Sequence, residues 1–517
     1  DVSTPMREVA GRAAAKAGSG VKDDPDRGAV PADRRFGGDG AVQGSATRAA
    51  AAPRIAAPSV NFEGIAGTDN IPILGGIPIP PDPVGDVGPS QYVEMVNTAW
   101  AVYSKTGTRL LGPLSLASIW AGFEVPDCED NSGDPIVLHD QLADRWVLTQ
   151  FTTAGLNVPA GTFYNCVAVS TSPDATGSYY RYAFSTGPNF PDYPKYGVWP
   201  NAYFATTREF GQVDFAGIGV YALERAKMLR GNPTARAVSV LVPPGAQPWI
   251  TGDGWLPSDW DGNRRPPAGS PNYIVGTQDD EGPYGAPFDA INLFQFDVSW
   301  GPTPTATFTG PTQLPVAEFD SIYPCEPGTR QCIPQPDTDV ELDVLSYRQR
   351  PTWRLAYRNF GTHESLVTSQ SVEARPGIAG MRWYELRRPG NQPIVYQQGT
   401  YAPADDLNRW MGSIAQDRRG NMALGYSVSS ETTYPGIRYT GRLRNDVPNQ
   451  MPQGEGTIVE GSGSQTDPAA RWGDYTSMNI DPVDNCRFWY VNQYYAVTSP
   501  RNWQTRIAAF RLPGCTA

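Results

Sequence analysis

From Ser59 onward, short runs of alternating apolar and polar residues, rich in Val, Ile, Tyr, Phe and Trp, are separated by clusters of Asp, Asn, Gly and Pro. No long stretch repeats apolar residues at helical spacing. Side chains that alternate with a period of two line the two faces of a strand, so the pattern predicts many short strands joined by turns. Three segments show it most clearly: PIVLHDQLADRWVLTQF from Pro135, MGSIAQDRRGNMALGYSV from Met411 and YTSMNIDPVDNCRFWYVNQYY from Tyr475. Each has a strand of small and apolar residues, an Asp-led turn and a second strand heavy in aromatics. The Asp and the Gly or Asn supply the side-chain acceptor and left-handed geometry that tight turns need.

The hairpin recurs in a repeat of about 55 to 65 residues, a period that marks a repetitive architecture. With four strands per repeat, blades begin near Asp86, Asp134, Tyr193, Asn272, Ser365, Met411 and Tyr475. The reading is an all-β fold, a single closed β-propeller of seven four-stranded blades. The last repeat ends on TRIAAFRL, one strand short, and SVNFEG from Ser59 is expected to supply the missing outer strand. Closure by the two chain ends removes exposed sheet edges. The competing architectures are a β-helix, which needs a shorter period, and tandem β-sandwiches, which need linkers. The one Pro-rich candidate linker runs from Gly301 to Asp339.

Residues 1–57 are rich in Ala, Gly, Arg and Asp and hold one aromatic residue, Phe36. They carry too little apolar surface to offset the entropy of ordering, so they are expected to form a disordered leader, with a short helix around Met6 to Lys16. Residues 58–517 form the propeller domain.

Charge and cysteine narrow the function. The net charge of −12 excludes a broad basic face for nucleic acid and leaves room only for a local cationic pocket. No apolar run is long enough to span a membrane. The six cysteines fall in local pairs, Cys128 with Cys166, Cys325 with Cys332 and Cys486 with Cys515, and none has zinc-site spacing. Disulfides in these pairs, and a chain that starts at Asp1 without an apolar leader, point to a secreted, extracellular or periplasmic protein. A monomer is expected.

The runs PPDPVGDVGPSQYVEMVN from Pro80, YPKYGVWPNAYFAT from Tyr193 and RWGDYTSMNIDPVDNCRFWYVNQYY from Arg471 resemble a group of secreted bacterial β-propeller proteins loosely grouped with the sialidase-like superfamily. The resemblance covers nearly all of residues 58–517 and implies fold and export rather than a reaction. The chain departs from sialidases in lacking the SxDxGxxW Asp-box turns and a complete arginine triad, of which Arg409 and Arg471 could be two members.

Loops entering the inner strands of a propeller share one mouth, the default ligand site. Here those segments are polar: PDPVGD with Asp82 and Asp86, SGDP with Asp134, PDYPKYG with Asp192, Tyr193 and Lys195, GTHES with His363 and Glu364, LNRWMG with Arg409 and Trp410, and ARWGDY with Arg471, Trp472, Asp474 and Tyr475. Carboxylates, cations and aromatics around one mouth suit a glycan. The carboxylates can serve as acid, base or nucleophile, arginine can clamp an acidic sugar, and Tyr or Trp can stack on a sugar face.

The catalytic candidates are Asp134, Asp192, His363, Glu364, Asp474 and Tyr475. The substrate-binding candidates are Tyr193, Lys195, Arg409, Trp410, Arg471 and Trp472. Each also has a structural reading, since Asp before a strand caps turns and Arg beside Trp packs between blades. His139 in LHD is read as structural, and no GxSxG elbow displays a serine. A structural calcium ion is expected, if any metal, at Asp127, Glu129, Asp130 and Asp134 around CEDNSGD or at DWDGN from Asp259; no other cofactor is indicated. The function expected is an extracellular carbohydrate-active enzyme, glycoside hydrolase or polysaccharide lyase; the alternative is a non-catalytic propeller binding a glycan, cell-wall polymer or protein.

Overall fold

In the computed structural model the three signature segments form hairpins, and each turn is built by its leading Asp. The structure describes residues 1–9, 38–43, 55–158, 161–211, 214–321, 331–344, 349–387 and 392–515. Asp140 Oδ1 accepts the backbone N–H groups of Leu142 and Ala143, Asp417 Oδ1 those of Arg419 and Asn421, and Asp481 Oδ1 that of Val483. Asp144, Gly420 and Asn485 close these turns in the left-handed region, at φ of 53°, 85° and 53°.

The hairpins extend into five four-stranded sheets and one eight-stranded sheet, with a separate two-stranded ribbon. The eight-stranded sheet is two four-stranded units joined by the parallel pairing of their first strands, Leu256–Asp261 and Thr352–Asn359, from Ser258 opposite Leu355 to Asp261 opposite Arg358. The first strands of the units are Val84–Val87, Val137–Asp140, Phe190–Val198, Leu256–Asp261, Thr352–Asn359, Asn408–Gln416 and Ser477–Ile480. They touch in cyclic order, the last returning to the first. The all-β arrangement is consistent with a propeller. Aromatic pairs fill the seams between units: Tyr92 on Trp489 at 5.3 Å, Trp199 on Tyr357 at 4.7 Å and Tyr439 on Phe510 at 3.9 Å.

The last unit is completed as expected. Val60–Ala66 pairs antiparallel with Gln504–Arg511, so both chain ends share one sheet. Gly64 is required there, because a Cβ would lie 2.3 Å from Thr505 Oγ1 and 2.6 Å from Glu94 Oε2. Glu94 is fully buried and accepts hydrogen bonds from Ile65 N–H, Tyr103 O–H and Thr505 O–H.

Burial pushes the Glu94 carboxyl up to about 8. Its folded-state value lies above the unfolded one, so the native state holds the proton more tightly, and stability declines as pH rises from about 4.3 toward 8. Glu94→Gln cannot titrate, and its amide can donate to Thr505 Oγ1, whose proton then goes to Ile65 O, 2.9 Å away. Relative to this variant the wild type is expected to lose roughly 1.4 kcal/mol per pH unit in that window. Thermal melts of both proteins at about pH 5 and about pH 8 check it, and parallel curves would refute it.

Three expectations change. Residues 1–9 and 38–43 of the leader are packed onto sheet edges. Val2 bridges Tyr180, Arg181 pairs with Asp1 at 2.6 Å and Met6 is buried, in a helix described over Met6–Val9. Val42 bridges Thr400, and Asp39 pairs with Arg382 at 2.9 Å. What anchors them is edge hydrogen bonding and two buried arginines that need carboxylates, which an apolar-area argument does not register. The rest of the leader lies outside the described residues.

The second change concerns the Pro-rich candidate linker and the residues after it. Residues 331–344 lie over the sixth and seventh units, burying Ile333, Leu342 and Val344 against Trp410, Met411 and Trp472. Gln335 donates to Gln465 O at 2.7 Å, and Asp343 N–H to Ala470 O at 2.9 Å.

The third concerns where two units begin. The fourth starts at Leu256 and the fifth at Thr352, one strand earlier than Asn272 and Ser365. Disulfides link Cys128 to Cys166 and Cys486 to Cys515; Cys325 lies outside the described residues.

Candidate functional site

Four of the first strands have a residue in the left-handed region, just before the strand at Asp82 (φ 47°) and Asp134 (44°) and inside it at Tyr193 (51°) and Met411 (49°). Aspartate tolerates this conformation, whereas Tyr and Met do so only when the surroundings enforce it. At Tyr193 and Met411 the ladder register breaks, between Asp192 and Lys195 and between Trp410 and Ser413. The bulges re-aim the side chains beside them.

One charged cluster forms there. Asp82 Oδ1 accepts the Asp474 N–H at 2.6 Å and Asp82 Oδ2 accepts from Asn97 Nδ2 at 3.0 Å. Asn97 Oδ1 in turn accepts the Asp134 N–H at 2.9 Å. Arg471 reaches Asp474 at 2.7 Å and Asp343 at 3.1 Å. The Lys195 ammonium sits 3.4 Å from the Tyr193 ring centroid and 3.8 Å from that of Tyr475, and the Arg350 guanidinium 3.5 Å from Tyr193. Two cations that close to one ring take opposite faces. The Arg350 Nη2 lies 3.7 Å from Asp474, and neither terminal nitrogen of Arg350 has a hydrogen-bond acceptor among the described residues. Asp134 is half-buried, while Asp82, Lys195, Asp343, Arg350, Arg471 and Asp474 are buried.

Burial, reinforced by the charge on Asp474, pushes the Asp82 carboxyl up, and burial pushes the Lys195 ammonium down. A carboxyl pushed toward its protonated form therefore sits in the same cluster as an ammonium that holds its proton less tightly than usual. Asp474, held between Arg471 and Arg350, completes a set able to give a proton, take one and steady an anion.

Further along the first strands lies a second ionic network. Arg354, fully buried, meets Asp261 at 2.5 Å and Asp259 at 3.1 Å. Burial raises Asp259 to about 6 and Asp86 to about 8, while Arg354 lowers both. Asp86 accepts the His139 N–H at 2.6 Å, Asp259 the Val198 N–H at 3.0 Å, and Arg358 donates to Asn485 at 3.1 Å. These contacts tie unit to unit, a structural role.

The cluster gathers Asp134, Tyr193, Lys195, Arg471, Asp474 and Tyr475 of the sequence-derived candidates. Asp192, next to Tyr193 in the chain, is instead paired with Arg208 at 2.9 Å. His363 lies in the turn after the fifth unit's first strand and Glu364 opens the next strand, both at the opposite end of that first strand from Arg350, and Glu364 accepts from Tyr357 O–H at 2.7 Å. They were expected at the mouth because that unit was started one strand late.

Arg409 is clamped by Asp405 and Glu455, at 2.9 and 2.8 Å, within its own unit. Trp410 and Trp472 are buried against each other at 5.6 Å and offer no sugar platform. Tyr193 has a cation on each face and so has none free for stacking. The sequence reading passed over Asn97, Arg350 and Asp343, and left Asp82 out of its site residues. Arg350 stands just before the strand TWRLAYRN, and starting the fifth unit there would have exposed it. Asp127, Glu129, Asp130 and Asp134 do not converge as a metal-binding group among the described residues, and Asp259 is committed to Arg354.

No protein-family model and no curated protein matches the chain. Among solved structures it is similar to a thermostable family-43 glycoside hydrolase, at 11% identity and a TM-score of 0.33 over 68% of this chain and 98% of that one. It is also similar to an exo-β-1,3-galactanase from Clostridium thermocellum, at 11% identity and a TM-score of 0.32 over 74% and 81%. An endo-arabinase from Bacteroides thetaiotaomicron aligns at 11% identity and a TM-score of 0.28 over 59% and 92%. The functional reading rests on the residues of the cluster.

Proposed function

We propose that the protein is an extracellular glycoside hydrolase built on a closed propeller of seven blades, acting at the cluster around Asp82 and Asp474. The observation that carries this is two neighbouring carboxyls in opposite environments: Asp82 is buried and pushed toward its protonated form, and Asp474 is held by two arginines. That is the division of labour glycoside hydrolysis needs, one acid to protonate the leaving oxygen and one carboxylate to act as base or nucleophile. Arg350, with two terminal nitrogens awaiting acceptors, favours a sugar bearing a carboxylate. The disulfides Cys128–Cys166 and Cys486–Cys515 suit an oxidising compartment.

The test is turnover by the purified chain on a panel of neutral and acidic polysaccharides. New reducing ends without an unsaturated, ultraviolet-absorbing product are expected, with acidic substrates preferred. An unsaturated product would transfer the assignment to a lyase.

A second reading, a non-catalytic glycan-binding propeller, is favoured by burial: only Asp134 among the cluster's charged groups is half-exposed. Glycan binding without turnover on any substrate would establish it.

A further inference from the structure

In the fourth unit, the strands Asn272–Gln278 and Ala290–Ser299 are joined by DDEGPYGAPFD, residues 279–289. Asp279, Asp280, Glu281 and Asp289 each place one carboxylate oxygen within 4.8 Å of the others. Asp279, Glu281 and Asp289 are buried and Asp280 is exposed. The charged groups acting most strongly on the three buried ones are carboxylates of the same group, with no lysine or arginine among them.

Hydrogen bonds account for only part of the arrangement. Asp279 Oδ1 accepts Glu281 N–H at 2.9 Å, and its Oδ2 accepts Ser321 N–H at 2.7 Å and the Ser321 hydroxyl. Asp289 accepts Asp280 N–H at 2.9 Å and Phe319 N–H at 2.6 Å. Glu281, only 9% exposed, has an Oε2 shielded from solvent and without a hydrogen-bond partner among the described residues. A buried carboxylate among three other carboxyl groups costs several kcal/mol unless protons are taken up or a cation stands between them.

We propose that this loop binds one calcium ion through Asp279, Asp280, Glu281 and Asp289. An all-oxygen, carboxylate-rich set selects a hard cation. Calcium–oxygen distances near 2.4 Å put opposite ligands up to about 4.8 Å apart, which four oxygens all within 4.8 Å of one another allow, whereas magnesium usually keeps several waters and is not held by an all-protein carboxylate cage. Asp279 and Asp289 also hold Ser321 and Phe319, so the ion would pin this loop to the segment leading out of the fourth unit. The site shares no residue with the cluster around Asp82 and differs from both calcium positions expected from the sequence.

The full chain, stripped with a chelator, is titrated with calcium by calorimetry and melted with and without the ion. One ion per chain and a rise in melting temperature of roughly 3–5 °C at about 100 times the dissociation constant are expected. Glu281→Gln removes a charge from the group, so it should fold at least as well as the metal-free wild type yet lose the rise. Asp280→Asn alters the one exposed ligand, cannot disturb packing, and should weaken calcium at least tenfold. Absence of binding in the wild type, or wild-type affinity and melting shift in both variants, overturns the proposal. So does an equal shift with magnesium.

Discussion

Arg354→Met is expected to lower the melting temperature by roughly 5–10 °C. The methionine keeps the apolar stem but leaves Asp259 and Asp261 without the guanidinium that bridges them at 3.1 and 2.5 Å, with Asp86 nearby. Removing one partner of a buried ionic group costs about 3–5 kcal/mol, because uncompensated charge stays in a low dielectric. The same argument predicts rescue. Adding Asp259→Asn and Asp261→Asn to Arg354→Met should recover a substantial part of the loss, since both stranded charges are gone. Melting curves of the single and triple variants decide it. A shift within about 1 °C for Arg354→Met, against the few degrees expected per kcal/mol, would show that the network carries little stability.

The second large effect concerns turnover. Asp474→Asn is expected to lower kcat by roughly 10²–10⁴ with KM little changed, as for loss of a proton-transferring or attacking group. Asp82→Asn should slow natural glycosides by a similar factor, but spare aryl glycosides whose leaving group departs without protonation.

The pH dependence follows from the direction of the Asp82 shift. Burial and Asp474 raise its folded value, so the acid stays protonated through neutrality and is lost as pH rises beyond it. Turnover should therefore fall on the alkaline side, and that limb should vanish in Asp82→Asn. Measuring kcat against pH for wild type and both variants provides the check. Asp474→Asn activity within threefold of wild type, with unchanged melting, would remove Asp474 from the chemistry.

Much of the strand pattern was legible because it depends on local signals. The Asp-led hairpins at Asp140, Asp417 and Asp481 declare themselves through turn chemistry, and SVNFEG through its alternation and a last repeat one strand short. The strands misread as unit starts fail for one reason. LPSDWD and TWRLAYRN carry Asp259, Asp261, Arg354 and Arg358 in positions that the structure buries, and a charged strand does not look like an inner one. That slip put His363 and Glu364 in place of Arg350. Arg409 and Trp410 were misjudged differently, since nothing local distinguishes a residue facing the mouth from one packed between sheets.

By itself, the sequence determined the all-β class, the hairpins and the closing strand. These follow from side-chain alternation and turn geometry, which act over a few residues. Only the tertiary structure decided which charges meet. Asp82 and Asp474 are hundreds of residues apart, as are Asp86 and Arg354, and their protonation depends on burial and on neighbours brought in by other sheets. Long-range electrostatics in a shared low-dielectric interior leaves no local trace in the chain.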